Sequence, residues 1–226
     1  RFFLADRQPL VVAGTHGKTT TSAMAAKVWS DCGRDPGFLI GGVPIDLGVS
    51  FRCGSGPRFV IEGDEYNAAY FDRGAKFLHY RPETLILTSV EHDHADLYPT
   101  PESLLAAYSR LIALVPESGL IVACGDSAEI RQLAEAARAP VVFYGEHATN
   151  AVRLLGVPEA DSAGVRFRLR EESGDELAVT MPVWPLKVSG VGAEVTGSNT
   201  LTVLPLATAT RPSGRTARLV ASVVSY

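Results

Sequence analysis

The run Gly14-Thr15-His16-Gly17-Lys18-Thr19-Thr20 has the most chemically specific spacing in the chain. A glycine-bearing turn between a strand and a helix turns backbone N–H groups toward a phosphate. The start of the helix adds a positive dipole. The Lys18 ammonium can reach β- and γ-phosphates, and the Thr19 hydroxyl is a ligand for Mg2+. The longer phosphate-loop pattern GxxxxGK[ST] fails, because Val12 stands where its first glycine belongs. What remains is GTxGKT, two residues shorter between the glycines.

Two acidic clusters follow. Glu62-Gly63-Asp64-Glu65 comes directly after an apolar run, and a carboxylate there can hold Mg2+ opposite the phosphates. Glu91-His92-Asp93-His94-Ala95-Asp96 packs five acidic or imidazole groups into six residues. Zinc is the weaker reading of this cluster, since no cysteine is near and the ligand spacing is not a standard one. A phosphate-bound Mg2+ site accounts for it better, with at most one of His92 and His94 essential. Residue chemistry alone gives His16, His79 and His147 no role.

The elements that must position these groups are short and alternating. Residues 9–14, 38–40, 58–62, 84–88, 119–123 and 141–144 read as buried strands, apolar on both faces. Residues 19–31, 101–115 and 127–138 read as helices, the second with Thr100 as N-cap before Pro101. This alternation implies an α/β fold: a mostly parallel sheet with helices on both faces. Beyond Gly145 the strict alternation of Val165 to Arg170, with 176–181 as its hairpin partner, predicts a small antiparallel β-subsheet. Each of the three clusters lies just past the C-terminal end of an expected parallel strand, so all three can converge on one crevice. The convergence predicts a Mg2+–ATP site and phosphoryl transfer, without identifying the acceptor.

Composition excludes several other classes. The chain has 226 residues, 46% hydrophobic and 20% charged, with a net charge of −4. No apolar run approaches the roughly 18 residues of a membrane span. A net negative charge gives no basic footprint for nucleic acid. Three scattered cysteines without a CxxC fit a reducing cytoplasm.

Taken together, these motifs resemble the central ATPase domain of the Mur ligase family. Gly14 to Thr19 matches its GTxGKT loop, Glu62 its glutamate after the third strand, and Asp93-His94-Ala95-Asp96 its DHxD motif. The runs 38–44, 62–66 and 76–82 are most like the family branch that attaches a ready-made peptide to UDP-N-acetylmuramate in cell-wall recycling. The L-alanine-adding branch is the near alternative, and residues 76–82 speak against it. Folylpolyglutamate synthase shares the loop logic but fits His16 and 93–96 less well.

The resemblance implies an ATP-dependent amide ligase with UDP-N-acetylmuramate and a tripeptide as substrates, working through an acyl phosphate. It implies that residues 14–20 bind ATP, with Lys18, Glu62 and His94 catalytic. Thr19 and Glu62 would hold one Mg2+ and His94 a second. It further implies a central domain over residues 1–187, with a parallel core over 9–145 and antiparallel strands over 150–187. The UDP-binding and C-terminal ligase domains lie outside the chain, so these residues alone are expected to bind nucleotide without completing ligation, or to be inert.

The chain departs from the family pattern in places. Asp46, Thr88 and Ser89 stand where asparagines are usual, and the lost amides are expected to weaken contacts to substrate or metal. After Glu194 there is no acidic residue, and 187–226 lacks the His-Asn helix start that helps hold adenine. Residues 188–226 read as a divergent or aberrant tail, expected to mark an interruption of the sequence such as a reading-frame shift or a gene-fragment end.

Overall fold

The computed structural model describes residues 4, 6–93, 95–161 and 164–181, and the short segments Thr200–Val203, Ala209–Thr210, Thr216–Ala217 and Ser222–Ser225. In chain order the main elements are β1 (Gln8–Ala13), α1 (Lys18–Asp31), β2 (Gly37–Leu39), β3 (Phe51–Arg52), β4 (Arg58–Gly63), β5 (Asn67–Ala69) and β6 (Asp72–Ala75). A 3-10 turn (Lys76–His79) leads to β7 (Thr84–Leu87), α2 (Pro101–Ala113), β8 (Leu120–Cys124), α3 (Ala128–Ala134) and β9 (Val141–Gly145). The strands β10 (Val152–Asp161), β11 (Gly164–Glu171) and β12 (Glu176–Met181) follow.

One sheet has the order β12-β11-β10-β9-β8-β7-β1-β4-β2-β3, and β5 and β6 form a separate hairpin. The strands from β2 to β10 in that order pair in parallel. Antiparallel pairs occur at the two edges, β2 with β3 and β10 through β12. The expected antiparallel strands thus continue the main sheet. β1 sits between β4 and β7, so the chain leaves it toward opposite sides of the sheet. That makes the C-terminal end of β1 a topological switch point, where open α/β sheets bind ligands.

Period-two alternation splits the core between the two faces. Val11, Ala13, Phe59, Ile61, Leu85, Leu87 and Ile121 pack with Leu104, Tyr108 and Leu111 of α2 and Ile130 of α3. Leu10, Val12, Val60, Ile86 and Val122 face the other way, onto Ala23, Ala25 and Ala26 of α1. The small alanines let α1 approach the sheet closely. Each fully buried Leu or Ile contributes about 1.5–3 kcal/mol by leaving water. Helices therefore cover both faces, as the alternation implied.

The helices differ at their ends from the sequence reading. α2 stops at Ala113 and α3 at Ala134, each followed by a tighter turn such as Ala137 N–H to the Ala134 carbonyl. Thr100 does cap α2, exchanging hydrogen bonds with Ser103 over a Pro start. Apart from its short paired strands, the tail over 188–226 lies outside the described residues, and with it the expected interruption.

Candidate functional site

The loop between β1 and α1 is shaped by its glycines. Gly14 has φ 140° and Gly17 φ 78°, both in the region that favours glycine. A Cβ on Gly14 would lie 2.1 Å from the Thr88 hydroxyl oxygen, so no larger residue fits. Gly17 is the N-cap of α1, which has no side-chain cap and no acidic residue in its first turn. By contrast, α2 and α3 are capped by Thr100 and Ser127 and carry Glu102 and Glu129 in their first turns. The positive start of α1 is left open to an anion.

The end of β7 holds this loop in place. The Thr15 amide donates to the Ser89 carbonyl at 2.9 Å, and the His16 amide to the Ser89 hydroxyl at 3.0 Å. Thr88, only 1% exposed, donates its hydroxyl proton to the His16 carbonyl at 2.6 Å. Thr15 Oγ1 accepts from the Glu91 amide at 2.9 Å. Thr88 and Ser89, read from sequence as lost amides, are the anchors of the loop here. The residue types were visible; their partners, more than 70 positions away, were not.

Lys18 opens α1 and curls back over the loop. Its ammonium donates to the Gly14 carbonyl at 2.7 Å, the Thr15 carbonyl at 3.2 Å and Glu65 Oε1 at 3.0 Å. The Thr19 hydroxyl donates to Glu62 Oε1 at 2.8 Å, and Glu62 Oε2 accepts from the Gly41 amide at 2.7 Å. Thr20 lies half-buried in the first turn of α1. A cleft of about 460 Å³ runs between Lys18, Gly41, Glu62, Asp64, Lys76 and Tyr80. A larger one, about 860 Å³, opens on the other side of Thr88 and Ser89, toward Leu104, Asp126 and His147.

The neighbouring charges are organised. Asp64 meets Lys76 at 2.6 Å and accepts from the Tyr66 amide at 3.0 Å. Partial burial alone would raise the Asp64 carboxyl, but the Lys76 and Tyr66 hydrogen bonds and the charges of Lys76 and Lys18 hold it below its ordinary value. Burial, reinforced by the charge of Glu65, pushes the Tyr108 hydroxyl well above its ordinary range.

Of the acidic-imidazole cluster, His92 donates from Nε2 to the Tyr98 carbonyl at 2.9 Å. His16 Nε2 lies 3.7 Å from Glu91 Oε2. His79 pairs with Asp72 at 2.9 Å. His94 lies outside the described residues. Among the described residues no three His, Cys, Asp or Glu side chains gather as a metal site. The structure thus brings together residues 14–20 and Glu62, and it adds Glu65, Thr88 and Ser89.

A parallel sheet with a glycine-hinged strand-to-helix loop at its switch point defines a P-loop-type α/β domain. The Mur ligase middle domain matches residues 12–186, and the chain belongs to the Mur ligase family. It is 49% identical over 121 residues to the UDP-N-acetylmuramate–L-alanyl-gamma-D-glutamyl-meso-2,6-diaminoheptandioate ligase of Escherichia coli K12, covering 54% of this chain and 26% of that one. The crystal structure of the corresponding Neisseria meningitides ligase superposes with a TM-score of 0.71 at 36% identity, over 80% of this chain and 57% of that one. The Thermotoga maritima MurF ligase, crystallised in complex with ADP, shares the fold with a TM-score of 0.59 at 16% identity, over 79% of this chain and 42% of that one. The chain spans 26% of the length of its first two curated relatives. Among the described residues no helix is long and apolar enough to cross a membrane.

Proposed function

We propose that this chain is the ATP-binding middle domain, over residues 1–187, of a cytoplasmic ligase that joins UDP-N-acetylmuramate to a cell-wall tripeptide in peptidoglycan recycling. The observation that carries the reading is the convergence of Lys18, Thr19 and Glu62 at the uncapped start of α1. The E. coli and Neisseria relatives are named as ligases of UDP-N-acetylmuramate and an L-alanyl-gamma-D-glutamyl-meso-diaminopimelate peptide, and the MurF relative was crystallised in complex with ADP.

In the reaction, an oxygen of the substrate carboxylate attacks the γ-phosphorus of ATP, and ADP leaves. The peptide amine then attacks the acyl phosphate carbon. Phosphate leaves, the amine loses a proton, and an amide remains. The amides at the uncapped start of α1 and Lys18 bind the phosphates and offset the charge that spreads over the transferring group. The anchors Thr88 and Ser89 keep those groups in register, so little reorganisation is left for the moment of reaction.

Thr19 and Glu62 suit Mg2+, because they offer a hydroxyl and a carboxylate oxygen already 2.8 Å apart. His94 is the third proposed ligand, for a second ion. Bound Mg2+ supplies charge neutralisation where an anionic carboxylate meets an anionic phosphate.

The test is ATP-dependent amide formation from UDP-N-acetylmuramate and tripeptide by the complete polypeptide, run beside nucleotide binding by the present chain. Binding here and ligation there support the reading. Absence of nucleotide binding by this chain contradicts it.

A further inference from the structure

Glu65 is a carboxylate in an unusual place. It is 2% exposed, and its Oε1 accepts from Lys18 at 3.0 Å while Oε2 lies 2.9 Å from the same ammonium. A buried charge is tolerated only with a close, well-oriented partner. Glu65 is itself held from several sides. Its carbonyl accepts from the Tyr98 hydroxyl at 2.7 Å, and its neighbours Asp64 and Tyr66 accept backbone bonds from Phe77 and Lys76. The 3-10 turn therefore fixes the backbone on both sides of Glu65.

An ammonium has three protons. Those of Lys18 have three acceptors: Gly14 O, Thr15 O and Glu65 Oε1. The three are unequal. The two carbonyls are neutral acceptors and belong to the loop that would receive a phosphate. The bond to Glu65 joins two opposite charges, one of them on a buried carboxylate, and is the most costly to break. An arriving phosphate can replace the two carbonyls with its own oxygens without stranding a charge. Replacing Glu65 would give up the ion pair of a carboxylate that is 2% exposed.

We propose that Glu65 is a positioning residue for Lys18: it keeps one proton of the ammonium fixed through nucleotide binding and aims the other two at the β- and γ-phosphates. The inference rests on reading Lys18 as the phosphate-binding lysine. It gives Glu65 a role separate from that of Glu62, which faces Thr19.

The test measures Mg2+–ATP and AMP affinities of the 226-residue chain by calorimetry, for wild type, Lys18→Ala, Glu65→Gln and the double variant. AMP has no β- or γ-phosphate for Lys18 to hold. Glu65→Gln is expected to weaken ATP about tenfold, the scale of a hydrogen bond to a charged group, and to leave AMP unchanged. In the Lys18→Ala background the same change is expected to cost nothing further. A purely structural role for Glu65 predicts equal losses for ATP and AMP, or equal losses in both backgrounds, and either result overturns the proposal. So does an unchanged ATP affinity in Glu65→Gln. If Lys18→Ala itself binds ATP as wild type does, the phosphate-loop reading has failed instead, and the proposal falls with it. Should Glu65→Gln not fold, Glu65→Asp keeps the charge but withdraws the carboxylate by one methylene. It must weaken ATP selectively, and wild-type ATP affinity in that variant overturns the proposal.

Discussion

Thr19 and Glu62 are 43 residues apart in sequence and 2.8 Å apart beside the loop that joins β1 to α1. One begins the helix that follows β1, and the other ends the neighbouring strand β4. The parallel register that sets Val12 against Glu62 brings the two together. On the proposed reading, these two oxygen donors would supply two of the six ligands of an octahedral Mg2+ shell. Thr19→Val and Glu62→Gln should each lower the Mg2+-dependent part of ATP affinity by at least about tenfold, as loss of a metal-site residue does. Titration with ATP in Mg2+ and in EDTA separates that part. Equal affinities in the two media for wild type would contradict the assignment.

The loop depends on Gly14 in two ways. Its φ of 140° disfavours any side chain, and a Cβ would sit 2.1 Å from the Thr88 hydroxyl oxygen. Gly14→Ala should cost about 2–4 kcal/mol of stability, read from urea unfolding, and should remove ATP binding in whatever remains folded. A variant of wild-type stability would show that the loop has another conformation.

Thr88 is buried with its hydroxyl bound to the His16 carbonyl. Thr88→Val keeps the shape but strands that carbonyl, and should cost about 1–3 kcal/mol. Thr88→Ser keeps the donor and should recover most of that stability in urea unfolding. Equal behaviour of Val and Ser would mean that the hydroxyl does not anchor the loop.

The Asp64–Lys76 pair gives a pH signature. The folded-state carboxyl is held below its ordinary value of 3.8. Its contribution is therefore complete above that value and is lost as pH falls through the depressed folded value. About a third of the Asp64 side chain is exposed, so the contribution should stay below about 1 kcal/mol. Unfolding midpoints of wild type and Lys76→Met should converge as pH falls from 5 toward 3. A constant difference across that range would rule out the pair as its source.

The chemistry was more legible in the sequence than its support. Lys18, Thr19 and Glu62 stand in short motifs at or just past the C-terminal ends of strands, and strand ends in a parallel sheet share one edge. Short runs, apolar on both faces, likewise revealed β1, β4, β7 and β8. The pairs Lys18–Glu65 and Thr88–His16 arise only when distant strand ends meet, and no local pattern announces them. Strand β10 was hidden by Gly156 and Pro158, which fall at a register shift between Leu155 and Glu159. The β5–β6 hairpin was hidden because Tyr70 and Phe71 occupy its turn, where glycine or asparagine is the usual signal.

The most direct test of the account is calorimetric binding of Mg2+–ATP to the wild-type chain and to Lys18→Ala. Saturable one-to-one binding by wild type, weakened at least tenfold by the substitution, is the predicted result, since a charge-assisted phosphate contact is worth about that much or more. Equal affinity of the two proteins, or no binding by wild type, would contradict the phosphate-loop assignment on which the proposed chemistry rests.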